Sequence, residues 1–309
     1  MKKEKDSGQL FSEEIILAPP ARFDFFSTIH AHGWIDLPPF TRLDGRAGFA
    51  RVDALPSGAV VRLEVSAPGG YPCKEIHVEA VSDRPLDDGG RERVAAMAAR
   101  MLRLDEDFSE FYALCRRRGE PWSQFARGQG RLLRCPTVFE DLIKVICTTN
   151  IQWSGTRRML AGLVEAFGAP APRGLWQKLF PLPRVIARAS LEDFSARVRL
   201  GYRAPYIHAL AGEAAAGRLD EESWLDKRLP AGELKKKLLS IKGIGAYAAA
   251  SMLMLLGRYG EIPADSEFRK WMGEKYFPGE MFDLQKALAV YQDWGRWQGL
   301  AYWLEMTHG

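Results

Sequence analysis

The chain has 309 residues, 47% hydrophobic and 27% charged, with a formal net charge of +4. This is the composition of an ordinary globular protein of one large domain or two smaller ones, and it excludes disordered and fibrous chains. The four cysteines, Cys73, Cys115, Cys135 and Cys147, are too widely spaced for a Cys-x-x-Cys metal site or an iron–sulfur run, and no segment approaches the ~20 apolar residues of a membrane helix.

In chain order, residues 1–20 read as an N-terminal arm ending in APP. Its apolar run is too short for a signal peptide core, and scattered single thiols suit a reducing compartment, so the expected location is the cytoplasm. Residues 21–135 form a β-rich domain with following helices. There VVRLEVSA and KEIHVEAVS alternate apolar and polar residues, as half-buried antiparallel strands do, and LDGRAG, LPSG and PGGYP supply turns. From DDGGRERVAAMAARMLRL onward the period becomes helical, with Val94, Met97, Ala98, Met101 and Leu102 on one face. Residues 136–309 are a mostly α-helical body in which TVFEDLIKVICTTN, TRRMLAGLVEAFG, ELKKKLLSI and FDLQKALAVYQDWG each predict a helix. The fold class is α+β, an antiparallel sheet domain followed by helices.

The segment LLSIKGIGAYAAASML holds Gly243 and Gly245 between two helical runs. A dinucleotide fingerprint needs a strand before its first glycine, and a P-loop needs Gly-Lys-Ser/Thr; neither is present. What remains is a helix, a tight glycine turn and a second helix, whose unpaired first-turn N–H groups suit an anion. By itself the stretch is equally a plain turn in a helix bundle. Further on, IPADSEF places Asp265 at the start of another helix, where an aspartate alone reads as an N-cap.

Hairpin, helix, short loop and aspartate in this order resemble the helix-hairpin-helix (HhH-GPD) DNA glycosylase superfamily, over roughly Pro136 to Trp303. LLSIKGIGAYAAA is similar to its hairpin and IPADSEF to its aspartate loop. CPTVFEDLIKVICTTN and LGYRAPY resemble the segments with which the 8-oxoguanine and alkyladenine (3-methyladenine glycosylase II) branches reach the gap in flipped DNA. The resemblance implies an enzyme that flips a damaged base out of double-stranded DNA and hydrolyses its N-glycosidic bond, acting as a monomer near the nucleoid. Asp265 then stabilises the cation that develops on the sugar and directs water. Main-chain groups of Lys242, Gly243, Ile244, Gly245 and Ala246 grip a phosphate, with Lys235, Lys236 and Lys237 as further charges or a solvated face. No cofactor is implied, and no side-chain metal site, although a monovalent cation on hairpin carbonyls is a feature of such proteins. Asn150, Tyr202 and Arg203 match the gap-filling positions.

Two departures matter. Bifunctional members carry a lysine where this chain has Tyr247, and a phenol cannot form an imine; Tyr247 and Ser251, one turn apart, line the base pocket instead. Where the 8-oxoguanine branch has a second arginine, this chain has Gly155. The leading substrate is an alkylated purine, because a cationic base stacks on aromatic rings; oxidised guanine is the alternative, with Lys144 as a candidate displaced lysine near the pocket. A DNA-binding protein without catalysis is the reading of another class, and Asp265 speaks against it. The C-terminal aromatics Tyr291, Trp294, Trp297, Tyr302 and Trp303 supply core and one or two pocket walls, and the sheet domain is a candidate to contribute near His30–Trp34.

Overall fold

The computed structural model describes residues 9–175 and 177–308. Residues 1–8 of the expected arm lie outside this description, and Phe11–Leu17 of that arm is not an arm but the edge strand β1. Helix α1 (Phe25–His30) follows, then β2 (Thr41–Arg42), β3 (Gly48–Ala54), β4 (Val60–Ser66) and β5 (Ile76–Ser82). The strands form one antiparallel sheet in the order β1-β5-β4-β3-β2. The register pairs Leu63 with Ala80 and Val65 with Val78, so one face is apolar and buried, while Arg62, Glu64, His77 and Glu79 take the other. Arg51 of β3 pairs with Leu63 and therefore sits on the buried face, where a charge needs a partner.

Helix α2 (Asp88–Leu102) starts where Asp87 accepts from the Gly90 N–H at 2.7 Å and ends at Arg103 in the left-handed region. After α3 (Ser109–Arg118), the chain enters the helical body with α4 (Val138–Thr148). All ten residues from Val138 to Cys147 are buried, and α4 packs against α5 (Trp153–Phe167), α8 (Ala204–Ala215) and α11 (Ala246–Leu255). Of the intervening helices, α6 (Pro183–Arg188) and α7 (Leu191–Arg197) pack on α8, α10 (Ala231–Leu239) packs on α11, and α9 is Glu221–Leu225. They are followed, after α11, by α12 (Ser266–Lys275), α13 (Leu284–Ala289) and α14 (Gln298–His308). The helix expected over FDLQKALAVYQDWG stops early: α13 gives way to a 3-10 turn, Gln292–Trp297, broken at Gly295, which buries both Trp294 and Trp297.

Sheet and body share buried charges. Arg51 reaches Asp53 at 2.6 Å and Glu140 of α4 at 2.9 Å, and Lys144 reaches Glu140 at 2.9 Å. Burial works to raise the Glu140 carboxyl, but Arg51 and Lys144 outweigh it and hold the group at about 2. Glu106 is similar: burial is overcome by Arg103 and Arg134, which hold it at about 2. Tyr259 donates to Glu106 at 2.6 Å and so fastens the loop after α11 to this second ion cluster.

Candidate active site

One cleft, of about 760 Å³, is lined from five directions: the 32–34 segment, the end of α4 with the loop to α5, the α10–α11 turn, the start of α12, and α14. Its hairpin consists of α10, a turn from Ser240 to Gly245, and α11. Gly243 has φ +92° and a Cβ there would meet the Tyr206 ring at 2.7 Å, so this position demands glycine. Gly245 differs, with extended backbone and open space around it. It is the N-cap of α11 and offers no side-chain oxygen to the helix, which leaves the first-turn N–H groups free for an external acceptor. Ile244 is buried and anchors the turn, while Lys242, Gly245 and Ala246 are exposed. Of the three lysines of α10, Lys235 pairs with Glu261 at 2.9 Å, and Lys236 and Lys237 are exposed.

Asp265 lines the cleft half-buried at the N-terminus of α12, and its Oδ1 accepts from the Phe268 N–H at 2.9 Å. Among the described residues it is in no ion pair. The loop carrying it is held on two sides: Tyr259 is tied to Glu106, and Gly299 of α14 donates to the Tyr259 carbonyl at 2.8 Å. A Cβ on Gly299 would meet the Glu261 carbonyl at 2.1 Å, so glycine lets α14 close on the loop.

Tyr247, Ser251, Tyr302, Trp303 and Trp34 form walls of the same cleft. Burial, and then the Asp265 charge, push the Tyr247 phenol up; the same two causes lead for Tyr302. Both therefore stay neutral phenols beside the carboxylate. Ser251 donates to the Tyr247 carbonyl at 3.0 Å. Tyr291, Trp294 and Trp297, which the sequence left undivided from Tyr302 and Trp303, are core. The Trp34 indole donates to Asp141 of α4 at 2.9 Å, and the Trp303 indole donates to the Ala31 carbonyl at 3.1 Å. The sheet domain thus contributes His32 and Trp34 to the cleft, both within the stretch expected only as a neighbourhood, His30–Trp34.

At the cleft mouth, Asn150 adopts φ +48°, a conformation asparagine tolerates, and its amide donates to the Tyr202 hydroxyl at 3.3 Å. Tyr202 is 51% exposed and stands out as an apolar surface beside Ile151 and Trp153. Arg203 lies beneath it, buried, with its guanidinium 4.4 Å from the Tyr202 ring centre and bonded to the Thr149 carbonyl. Gly155 is buried, and a Cβ there would meet Ile151 at 2.4 Å.

Lys144 is the site expectation that the structure corrects. It does not line the cleft; it is fully buried between Glu140 and the Phe40 ring, 4.5 Å from the ring centre. The reason is Arg51 and Glu140: a charged triad at the seam claims the lysine before the cleft can. Among the described residues, no group of three His, Cys, Asp or Glu side chains is placed to hold a metal ion, and no helix is long and apolar enough to cross a membrane.

No family model matches the chain, and no curated protein matches it in sequence. Solved structures do match. The 3-methyladenine DNA glycosylase of Archaeoglobus fulgidus is 21% identical, with a TM-score of 0.73 over 94% of this chain and 97% of that one. The 8-oxoguanine glycosylase/lyase of Clostridium acetobutylicum in its apo form is 17% identical, with a TM-score of 0.71 over 96% of this chain and 98% of that one. Its complex with double-stranded DNA containing cytosine opposite 8-oxoguanine gives 17% and 0.69 over 97% and 99%. Each match runs over nearly the full length of both chains, so this chain, an antiparallel sheet with a mostly helical body, has the fold of these DNA glycosylases.

Proposed function

We propose that the protein is a monofunctional DNA glycosylase that removes an alkylated purine from duplex DNA. The observation that carries the reading is Asp265: a carboxylate without an ionic partner, facing an aromatic cleft, beside a helix start whose N–H groups are uncapped. The hairpin amides from Gly245 onward hold a phosphate without reading sequence. The carbonyls of Lys242 and Gly243 accept no main-chain hydrogen bond in the turn and are the oxygens a monovalent cation would use, adding positive charge beside that phosphate. Tyr202 and Asn150 enter the vacated stack, which offsets the few kcal/mol that extrusion costs.

In the chemical step the bond between the sugar C1′ and the base nitrogen breaks and its electron pair leaves with the base. Asp265 faces the positive charge left on the sugar, directs water to C1′ and receives its proton. Tyr247 stands where a lysine nucleophile would be needed, and a neutral phenol forms no imine. Among the described residues the cleft lining includes two carboxylates, Asp265 and Glu267, and neither lysine nor arginine. That lining suits a base that carries positive charge and stacks on Tyr247 or Trp303.

Duplexes carrying one methylated purine or one 8-oxoguanine, incubated with borohydride and run on denaturing gels with and without alkali, test the reading. The expected result is release of the methylated base, strand scission only after alkali, and no trapped protein–DNA adduct. A trapped adduct would overturn the monofunctional assignment and direct attention to Lys242, the exposed lysine at the hairpin. Release of 8-oxoguanine alone would overturn the substrate, and binding without any release would leave a DNA-binding protein.

A further inference from the structure

Among the described residues, a few buried side-chain atoms have no hydrogen-bond partner: one each in Arg100, Arg103, Gln129, Gln177, Arg203 and Trp297, and both ring nitrogens of His32. Of these residues His32 alone lines the cleft. The side chain as a whole is half-buried, yet neither ring nitrogen meets solvent or a protein partner. A buried polar atom left unpaired costs about 1–3 kcal/mol, and folded proteins leave few of them without a use.

Its surroundings are built, not accidental. The ring lies 4.5 Å from Trp34, tilted by 35°. Trp34 is fixed by Asp141, and the preceding Ala31 carbonyl by Trp303. Gly33, with φ +84°, brings the segment so close to Trp153 that a Cβ would meet that ring at 2.7 Å. Four elements therefore hold an imidazole at the cleft wall with nothing to bond to. Burial, with the charges of Arg103 and Lys144 behind it, holds His32 down at about 3. The imidazole is thus uncharged at neutral pH and keeps one N–H donor and one acceptor nitrogen.

We propose that His32 is a specificity-determining residue that hydrogen-bonds the polar edge of the base received by the cleft. The proposal rests on the glycosylase reading for the identity of that base. Stacking on Tyr247 or Trp303 favours charge and ring area; His32 adds a demand for a donor or acceptor at one place on the edge. A base with a carbon or methyl group at that place leaves the imidazole unpaired and is rejected.

Two measurements test this. In the first, ring-nitrogen NMR signals of the protein are followed during addition of free 3-methyladenine or free 8-oxoguanine. The chain has five histidines, so the His32 signal is assigned by its loss in His32→Phe. A His32 shift that saturates with at least one base is expected; no shift with either overturns the proposal. In the second, base release is timed for His32→Phe, which keeps the aromatic stack, and His32→Gln, which restores a hydrogen-bonding group. The expected result is a fall in kcat/KM of about 10- to 100-fold on the preferred lesion with His32→Phe, a changed ranking among lesions, and partial recovery with His32→Gln. Equal loss on every lesion, or none, overturns the proposal. A His32 shift without base release from any duplex would refute the glycosylase reading and leave the base site standing.

Discussion

Along the seam between sheet and helical body, Arg51, Glu140 and Lys144 bury three charges that satisfy one another within 2.9 Å. In the cleft, among the described residues, Asp265 has no ionic partner, the His32 ring nitrogens have no hydrogen-bond partner, and the first turn of α11 has no side-chain cap. The seam's charged groups and the His32 ring nitrogens are alike buried, so burial by itself does not distinguish the two regions. Completion does. A saturated cluster spends its interactions on holding the fold, whereas an unsaturated one keeps them for something not yet bound. The same contrast recurs within six residues of the hairpin's two glycines: Gly243 is crowded against Tyr206, and Gly245 faces open space.

The largest effect should come from Asp265→Asn. Asparagine still caps α12, so melting should hardly move, while single-turnover base release falls on the order of 10³-fold, about 4 kcal/mol of transition-state stabilisation. Duplex binding should stay within a few-fold, and near-normal turnover would reduce Asp265 to a cap. Glu140→Ala should do the opposite. It strands Lys144 in the interior, leaves Arg51 with Asp53 alone, and should cost on the order of 3 kcal/mol in urea unfolding, with residual activity tracking the folded fraction. If activity vanished while stability held, the seam would belong to the chemistry and the contrast would fail.

The hairpin gives a smaller pair. Gly243→Ala imposes a left-handed backbone on alanine and a clash with Tyr206, and should cost about 2 kcal/mol of stability. Gly245→Val should be tolerated by the fold, since the backbone there is extended and unobstructed, and should weaken binding to every duplex alike. A loss restricted to one lesion would mean that the turn reads bases.

The smallest effect concerns pH. His32 is held from its usual 6.5 down to about 3, so below pH 6.5 the unfolded chain takes up a proton that the folded chain refuses, and stability falls with pH. Between pH 7 and 5.5 this amounts to about 1 kcal/mol, which His32→Phe should remove. Glu106 and Glu140, held at about 2 from 4.5, contribute nothing in that window; they lose their stabilisation only below pH 4.5. An unchanged slope in His32→Phe, measured by urea titration at the two pH values, would show that the imidazole is not held neutral.

Much of this was legible in the sequence because it is local. The strands β4 and β5 announce themselves by alternation, the hairpin by its glycines, and Asp265 by its place before a helix. Lys144 was misread because the groups that enclose its pair with Glu140, the Phe40 ring and Arg51, come from the N-terminal domain, and no helical period reports contacts across domains. His32 was only a region, since an imidazole without a partner looks like any other histidine until the nitrogens around it are counted. Of the C-terminal aromatics, Tyr291, Trp294 and Trp297 are core, Tyr302 is buried behind the cleft wall, and Trp303 alone is partly open to the cleft, a division no sequence period reports.

The bond from the Trp34 indole to Asp141 has a consequence for modularity. With Arg51 on Glu140, it makes α4 common property of sheet and helices. A graft of residues 136–309 alone would inherit Glu140 without its arginine, Asp141 without its indole, and a cleft with one side missing. The hairpin and Asp265 would travel with such a graft, but the wall bearing His32 and Trp34 would not. In this protein the portable unit is the whole chain, and a swapped sheet domain would be a change of what the cleft accepts.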